Sequence, residues 1–268
     1  MCAPVAISEI FTTPPLKWAG GKRWLTPTLA RLWQPHARHR RLVEPFVGGA
    51  AVALGLQPQR ALLNDMNPHL VNFYRWLQRG LHVRVGMANE RALYYEQRAR
   101  FNELATNGGA ETAEAASLFY YLNRTGYNGL CRFNRKGEFN VPFGQYKTIN
   151  YTRDFTPYAA ALAGWQFSTG DFNCLPIEPD DFIYADPPYD VEFTTYSSGG
   201  FSWADQERLA AWLAAHPGPV VASNQATTRV LKLYREHGFQ VEIIQAPRMI
   251  NCTGDRTRAG EMLAHKNF

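Results

Sequence analysis

The 268-residue chain has few cysteines and no long apolar run, and both absences limit what it can be. Its four cysteines, at positions 2, 131, 174 and 252, form no CxxC pair, which argues against a zinc site or a disulfide framework. No apolar stretch approaches the roughly 20 residues of a membrane-spanning helix, and the N-terminal stretch MCAPVAISEIFTTPP lacks the regions of a signal peptide. We therefore expect a cytoplasmic protein without a metal or a membrane partner.

The net charge of +5 is concentrated in one window of the sequence. Between Tyr121 and Arg153 the chain has six basic residues and one acidic residue, so this window alone carries a net charge of +5. The basic residues are Arg124, Arg132, Arg135, Lys136, Lys147 and Arg153. A concentrated basic patch is typical of a protein with a polyanionic partner, although a solvated basic face has the same composition.

Short apolar runs predict an α/β fold. The runs that are typical of buried strands cover residues 41–46, 61–65, 165–172, 181–188, 219–224, 240–247 and 261–268. Helical patterns lie between the later runs, over residues 204–216 and 227–238. Strands that alternate with helices indicate a mostly parallel sheet covered on both faces.

The middle of the chain, from about residue 67 to 155, lacks strand signals of this kind. Residues 67–80 and 113–126 have helical patterns, and residues 130–144 form two short alternating runs around a turn at 135–137, which indicates a β-hairpin. We interpret residues 67–155 as a mainly helical insertion that carries this hairpin. Residues 1–66 and 156–268 then form the α/β domain.

Glycines or acidic residues lie at the ends of the first three predicted strands. Gly48 and Gly49 precede a helix, where the backbone can approach a ligand closely. Asp65 comes about 20 residues later, where a carboxylate suits a ribose diol. Asp171 can accept a hydrogen bond from an adenine amino group, and the Phe172 ring can pack on the base. Each feature alone also fits an ordinary strand–helix junction or a capping aspartate.

Two phosphate-binding motifs are missing. The segment AGGKRW lacks the spacing of GxxxxGKS or GxxxxGKT, and GxGxxG does not occur. The expected ligand therefore has a ribose but no phosphate chain. The neighbouring segment LKWAGGKRW, with two lysines, an indole and two glycines before a helix, can close over such a nucleoside, although an ordinary amphipathic helix entry has the same pattern.

The fourth predicted strand ends on Asp186, which is followed by Pro187, Pro188 and Tyr189. The prolines have a fixed φ and no N–H, so they stiffen the chain just beyond the strand. They hold the carboxylate, the carbonyls and the ring in one geometry. Because ligands of open α/β sheets bind beyond the carboxyl ends of the strands, all four strand ends are expected to face one crevice.

The combined motifs resemble those of the S-adenosylmethionine-dependent DNA adenine-N6 methyltransferases of the Dam family. The resemblance covers most of the chain and runs, in the family's order, through KWAGGK, EPFVGGAAV, NRTGYNGLCRFNRKGEFNVPFG, GDF and DPPY. It implies a Rossmann-like class I methyltransferase sheet of seven strands with the last one antiparallel. It also implies S-adenosyl-L-methionine as cofactor, double-stranded DNA as partner, GATC as target and a bacterial or phage origin. The family usually has a glycine where this chain has Ala50, so we expect a modest cost in cofactor fit.

The resemblance further implies roles for individual positions. Cofactor contacts are expected at Trp18, Lys22, Phe46, Gly48, Asp65, Asp171, Phe172 and Asp186. Asp186, Pro187 and Tyr189 match the catalytic tetrapeptide. DNA contacts are expected at Lys17, Tyr127, Asn128, Leu130, Arg132 and Pro142, to which the basic window and the predicted hairpin add Arg124, Arg135 and Lys136.

The chemistry of adenine explains the acid and the prolines. The N6 lone pair is delocalised into the ring, so N6 is a poor nucleophile. It becomes a better one when Asp186 and the Pro187 carbonyl accept hydrogen bonds from its two N–H groups. A carboxylate also offsets the positive charge that develops on the nitrogen. The base must leave the stack, and Tyr189 can then pack on it. Residues 196–200, YSSGG, form a segment that can close over the base.

Sequence reading is expected from the hairpin. An arginine such as Arg132 is the usual bidentate reader of guanine O6 and N7 in the major groove, although a phosphate contact or a surface salt bridge would also suit it. Arg135 and Lys136 at the turn suit phosphate contacts. Tyr127 can fill the space that the flipped adenine leaves.

Two other functions remain open at this point: methylation of an amino group in RNA or on a protein glutamine, and DNA binding without catalysis. The acid at position 186 favours adenine, because the protein-glutamine enzymes have Asn there. A binding module has no need for four strand-end sites. No obligate protein partner is indicated.

Overall fold

The computed structural model describes residues 13–189, 200–246 and 259–268. Within these ranges it contains a seven-stranded sheet in the order β3-β2-β1-β4-β5-β7-β6. The strands are β1 (Leu42–Glu44), β2 (Ala61–Asp65), β3 (Trp165–Thr169), β4 (Phe182–Ala185), β5 (Val220–Gln225), β6 (Gln240–Ala246) and β7 (Ala259–Lys266).

The α-helices of the described residues lie mainly between these strands. They are α1 (Thr26–Trp33), α2 (Ala51–Leu56), α3 (Pro68–Gln78), α4 (Arg91–Thr106), α5 (Ala113–Thr125), α6 (Thr156–Ala161), α7 (Trp203–Ala215) and α8 (Thr228–Glu236). None of the helices in the described ranges is long and apolar enough to cross a membrane.

Strand pairing confirms the predicted sheet. The strands β3, β2, β1, β4 and β5 are parallel, and β1 pairs with both β2 and β4. The last strand, β7, is antiparallel to its two neighbours, β5 and β6. The carboxyl ends of β1 to β5 therefore lie at one edge, which is where the sequence predicted the ligand crevice.

Alternate residues of the central strands pack on opposite faces of the sheet. Leu42 and Phe182 belong to a core that includes α1, α2, α3 and α5. Val43 and Ile183 belong to a second core with α7 and α8. Both faces are therefore covered, as predicted from the apolar runs.

One helix of the middle segment, α4, was not predicted. Only Tyr94 and Phe101 of its 16 residues are buried, so its apolar pattern is weak. The predicted hairpin has its turn at residues 135–137 and a single antiparallel bridge between Phe133 and Phe139, without regular strands in the described structure. Helix α4 supports it, because Asn102 bonds both the N–H and the carbonyl of Phe139. The domain boundaries at residues 67 and 155 stay a prediction.

A buried ion pair joins β1 and β4 at the edge opposite the crevice. The Arg41 guanidinium donates two hydrogen bonds to the Asp181 carboxylate, at 2.9 and 2.7 Å. The Asp181 side chain is only 1% exposed. It also accepts a bond of 2.6 Å from the Glu178 N–H.

We predict that Asp181→Ala lowers the free energy of unfolding by about 3–5 kcal/mol, because it removes the bidentate partner of the buried Arg41 guanidinium and leaves only the exposed Glu178 carboxylate, 3.6 Å away. The matched control is Asp180→Ala, next to it but exposed, which should cost about 0.5 kcal/mol or less. Urea titration of both variants measures the difference. Equal stabilities would show that the pair does not hold the two strands.

Candidate functional site

A buried asparagine ties together the first three strand ends of the crevice. The Asn64 side chain donates to the Pro45 carbonyl and to the Gly170 carbonyl, both at 2.9 Å. The Gly170 N–H in turn donates to the Asp65 carbonyl. Asn64 was not predicted as a site residue, although a polar residue within an apolar strand was a usable signal.

The glycine turn after β1 and the Asp65 carboxylate form one unit. The Gly48 N–H donates to Asp65 at 3.1 Å, and the Asn67 N–H donates to the other carboxylate oxygen at 3.0 Å. Tyr74 fixes the turn by donating to the Gly48 carbonyl at 2.8 Å. Burial raises the pKa of Asp65, and the two backbone N–H groups oppose that shift.

Trp18 packs directly on this turn. A Cβ on Gly48 would lie 2.6 Å from the indole nitrogen of Trp18, and one on Gly49 would lie 2.8 Å from the Trp18 Cβ. Gly48 also has a φ of 45°. Ala50 is in the left-handed region as well, with a φ of 54°, and this conformation costs a non-glycine residue roughly 1–2 kcal/mol.

At the third strand end, Asp171 and Phe172 are not freely available to a ligand, contrary to what the sequence had led us to expect. Arg208 of α7 binds both oxygens of Asp171, at 2.7 and 2.8 Å, and lowers the pKa of this carboxyl. The same guanidinium lies 4.3 Å from the centre of the Phe172 ring. Phe172 is 2% exposed and contacts the Phe46 ring. An adenine amino group would have to share Asp171 with Arg208, which the sequence did not reveal.

Asp186 lies at the carboxyl end of β4 in an ion pair with Lys22. The ammonium is 2.7 and 2.9 Å from the two carboxylate oxygens, and the lysine is only 4% exposed. Ser223 of β5 donates a further bond to Asp186 at 2.9 Å. Burial raises the pKa of Asp186, and the Lys22 charge with these hydrogen bonds opposes the shift.

The residues after Asp186 are held from two sides. Pro187 is buried. The Pro188 carbonyl accepts a hydrogen bond of 2.9 Å from the side-chain amide of Gln206. The oxygen of that amide accepts a hydrogen bond from the Asn224 side chain. The Tyr189 hydroxyl donates to Glu261 of β7 at 2.6 Å.

The polar groups that were not predicted from the sequence include Ser223, Glu261, Gln206 and a buried glutamate on β1, Glu44. Glu44 is 2% exposed, and burial raises its pKa well above the usual range. Three of them interrupt apolar strands, in the segments LVEP, VVASN and GEML, which was the available signal. Gln206 gave none, because a glutamine on a helix is ordinary.

Lys17 joins the crevice to the basic window. Its backbone N–H and carbonyl both pair with the Asn123 side chain, at 2.8 Å each. Its ammonium donates to the Arg124 carbonyl at 3.1 Å and lies 3.7 Å from the centre of the Tyr146 ring. Burial lowers the pKa of Lys17, and the Arg124 charge adds to this.

The segment after α5 presents its predicted DNA contacts outward. Tyr127 is 52% exposed and Leu130 is 39% exposed, unusual values for large apolar side chains. Asn128 and Pro142 are also exposed, and Asn128 has a φ of 53°. The segment is held by a bond from the Tyr127 N–H to the Pro142 carbonyl.

The Arg132 side chain is exposed, but hydrogen bonds to Asn140 fix its orientation. Its guanidinium donates to the side chain of Asn140 at 2.8 Å and to the Asn140 carbonyl at 3.3 Å, which leaves other N–H donors for a ligand. Arg135 and Lys136 are exposed at the turn. Most of the predicted closing segment, residues 196–199, lies outside the described residues.

Comparisons with known proteins show the family of the chain. The model of the D12 class N6 adenine-specific DNA methyltransferases matches residues 18–250. The chain belongs to this family. The methyltransferase is 37% identical over 271 residues to a DNA adenine methylase of Vibrio cholerae, covering 93% of this chain and 94% of that protein.

Two further relatives of this adenine-specific methyltransferase carry similar names. The retron Ec67 DNA adenine methylase of Escherichia coli is 34% identical, over 93% of this chain and 90% of the relative. The DNA N-6-adenine-methyltransferase of Escherichia phage P1 is 36% identical over 89% of this chain. The methyltransferase spans only 33% of the length of that phage protein.

We predict that Gly48→Ala weakens cofactor binding, because the new methyl group displaces Trp18. Gly108→Ala is the matched control, since Gly108 also has a positive φ but no atom within 4 Å of the added Cβ. Both variants should lose about 1–2 kcal/mol of stability through the backbone alone. Thermal unfolding and calorimetric titration with S-adenosylmethionine separate the effects. Equal cofactor affinity in the two variants would show that the contact between Trp18 and the turn is unimportant.

Proposed function

We propose that the methyltransferase transfers a methyl group from S-adenosylmethionine to N6 of a flipped-out adenine in double-stranded DNA, at GATC, in the cytoplasm of a bacterium or of a phage-infected cell. The observation that carries this proposal is the Asp186 carboxylate, held by Lys22 and Ser223 at the end of β4. It lies beside two stiff prolines and an aromatic ring, at the sheet edge that also holds Asp65.

The residues of the crevice fit the expected cofactor. The Asp65 carboxylate has the chemistry to bind a ribose diol, and the glycine turn holds it in place through the Gly48 N–H. Trp18 can pack on this turn only because Gly48 lacks a Cβ. Trp18 and Phe46 supply apolar surface, with the buried Phe172 ring behind Phe46, and Asp171 and Lys22 supply charge. When bound, S-adenosylmethionine supplies an electrophilic methyl group on a sulfonium.

The protein's own groups prepare the nitrogen. Asp186 and the Pro187 carbonyl accept hydrogen bonds from the two N–H groups of the amino group. These hydrogen bonds localise the lone pair on N6. The Gln206 bond to the Pro188 carbonyl fixes the turn that carries both acceptors. The carboxylate stabilises the charge that develops on N6, and it is preorganised because Ser223 and Lys22 already hold it. Tyr189 packs on the flipped base.

DNA binding is assigned to the exposed segment between Tyr127 and Pro142 together with Lys17. Its hairpin is narrow enough for the major groove. Arg132 reads guanine, Arg124, Arg135 and Lys136 bind phosphate, and Tyr127 fills the gap in the stack. Asn128, Leu130 and Pro142 complete the contact. The pairing of Lys17 with Asn123 supports the assignment, because it ties this surface to the segment that holds Asp186.

We predict that Asp186→Asn lowers the rate of methyl transfer by about 10²–10³, because one transition-state acceptor loses its charge. DNA affinity should change little, since the basic segment is untouched. The assay follows radiolabelled methyl groups from S-adenosylmethionine into adenine-methylated and unmethylated plasmid, RNA and protein. Labelling of RNA or protein in place of plasmid, or turnover by Asp186→Asn within a few-fold of wild type, contradicts the proposed function.

We also predict that Arg132→Ala weakens binding to GATC DNA by about 1–3 kcal/mol of binding free energy and relaxes selectivity at one base position. Arg135→Ala is the control, and it should weaken binding equally for all sequences with a shallower salt dependence. Methylation rates on GATC and its single-base variants give the comparison. An unchanged preference at every position in Arg132→Ala would exclude base reading by this residue.

A further inference from the structure

Glu261 is a buried acid that the mechanism above does not use. It lies on β7, where it is paired with Gln225 of β5 and Ile244 of β6, and it is only 2% exposed. A carboxylate this deeply buried normally has full hydrogen bonding or a charged partner. Burial raises the pKa of Glu261, and the Lys22 charge opposes the shift.

The two oxygens of Glu261 have different surroundings. One accepts the hydroxyl of Tyr189 at 2.6 Å. The other lies 3.3 Å from the Lys22 ammonium but has no hydrogen-bond partner among the described residues. Glu261 therefore has one acceptor position already used and one available beside the lysine.

The Lys22 ammonium, in contrast, is surrounded by more hydrogen-bond acceptors than it has N–H donors. Besides the two Asp186 oxygens, its ammonium lies 3.1 Å from the Tyr189 hydroxyl and 3.3 Å from both the Gly20 carbonyl and Glu261. An ammonium has only three N–H donors, so these contacts compete. Asp186 is crowded too, because the oxygen that Ser223 binds also lies 2.7 Å from Lys22.

Binding of the target amino group changes the hydrogen bonds between Lys22 and Asp186. The amino group must donate to Asp186, where Lys22 covers both oxygens. Lys22 cannot simply leave, since a buried ammonium without a counter-ion is strongly unfavourable. Glu261 offers a second carboxylate within reach of the ammonium.

We propose that Glu261 is a positioning residue that takes the Lys22 ammonium from Asp186 when the target amino group binds. It keeps the Tyr189 hydroxyl in place during this exchange. The inference rests on the proposed function, because it assumes that Asp186 is the acceptor for N6.

The test is the single-turnover methyl-transfer rate of Glu261→Gln on GATC DNA. Glutamine keeps the size of the side chain and an oxygen for Tyr189, but it loses the charge that attracts Lys22. The rate should fall by about a hundredfold, as for other preorganised charges. The dissociation constants for S-adenosylmethionine and for DNA should stay within about threefold of wild type, a change of less than about 0.7 kcal/mol. The control Glu242→Gln alters an acid on β6 that is 64% exposed, and its rate should be unchanged.

Two more variants separate this role from a purely structural one. Glu261→Asp keeps the charge and should be faster than Glu261→Gln. In a Lys22→Met background, Glu261→Gln should cause little further loss, since there is no ammonium to receive. A wild-type rate for Glu261→Gln, equal rates for the Asp and Gln variants, or the same loss with and without Lys22 would overturn the proposal. Failure of the proposed function is distinct, since wild type itself would then transfer no methyl group.

Discussion

The ion pair between Lys22 and Asp186 is the contact on which the site depends. It joins the segment before α1 to the carboxyl end of β4, and both partners are largely shielded from water. Removing Lys22 leaves the Asp186 carboxylate without its counter-ion, whereas removing Asp186 leaves Lys22 only the Glu261 carboxylate, 3.3 Å away. The pair therefore fixes both the position and the charge of Asp186 before any ligand binds.

The short segment from Lys17 to Lys22 connects three parts of the molecule. Lys22 binds Asp186, Trp18 covers the glycine turn after β1, and Lys17 pairs with Asn123 at the end of α5. Movement of this segment would therefore affect both the crevice that is proposed to bind the cofactor and the surface that is proposed to contact DNA.

The sequence was informative where a feature is local. Apolar runs located the seven strands, and the two prolines after Asp186 indicated a rigid turn at a strand end. It was uninformative where a partner is distant: Glu261 lies 72 residues from Tyr189 and Gln206 lies 18 residues from Pro188, so neither contact leaves a pattern. The pairing of Arg208 with Asp171 was hidden for the same reason. Helix α4 was missed because little of it is buried.

A double-mutant cycle of Lys22→Met and Asp186→Asn tests the central claim most directly, with single-turnover methyl transfer on GATC DNA as the readout. If the two side chains act as one unit, their effects are not additive. The double variant should then be no more than about threefold slower than Asp186→Asn alone, a difference of about 0.7 kcal/mol. Losses that multiply would contradict the account, because they would show that Lys22 and Asp186 contribute independently.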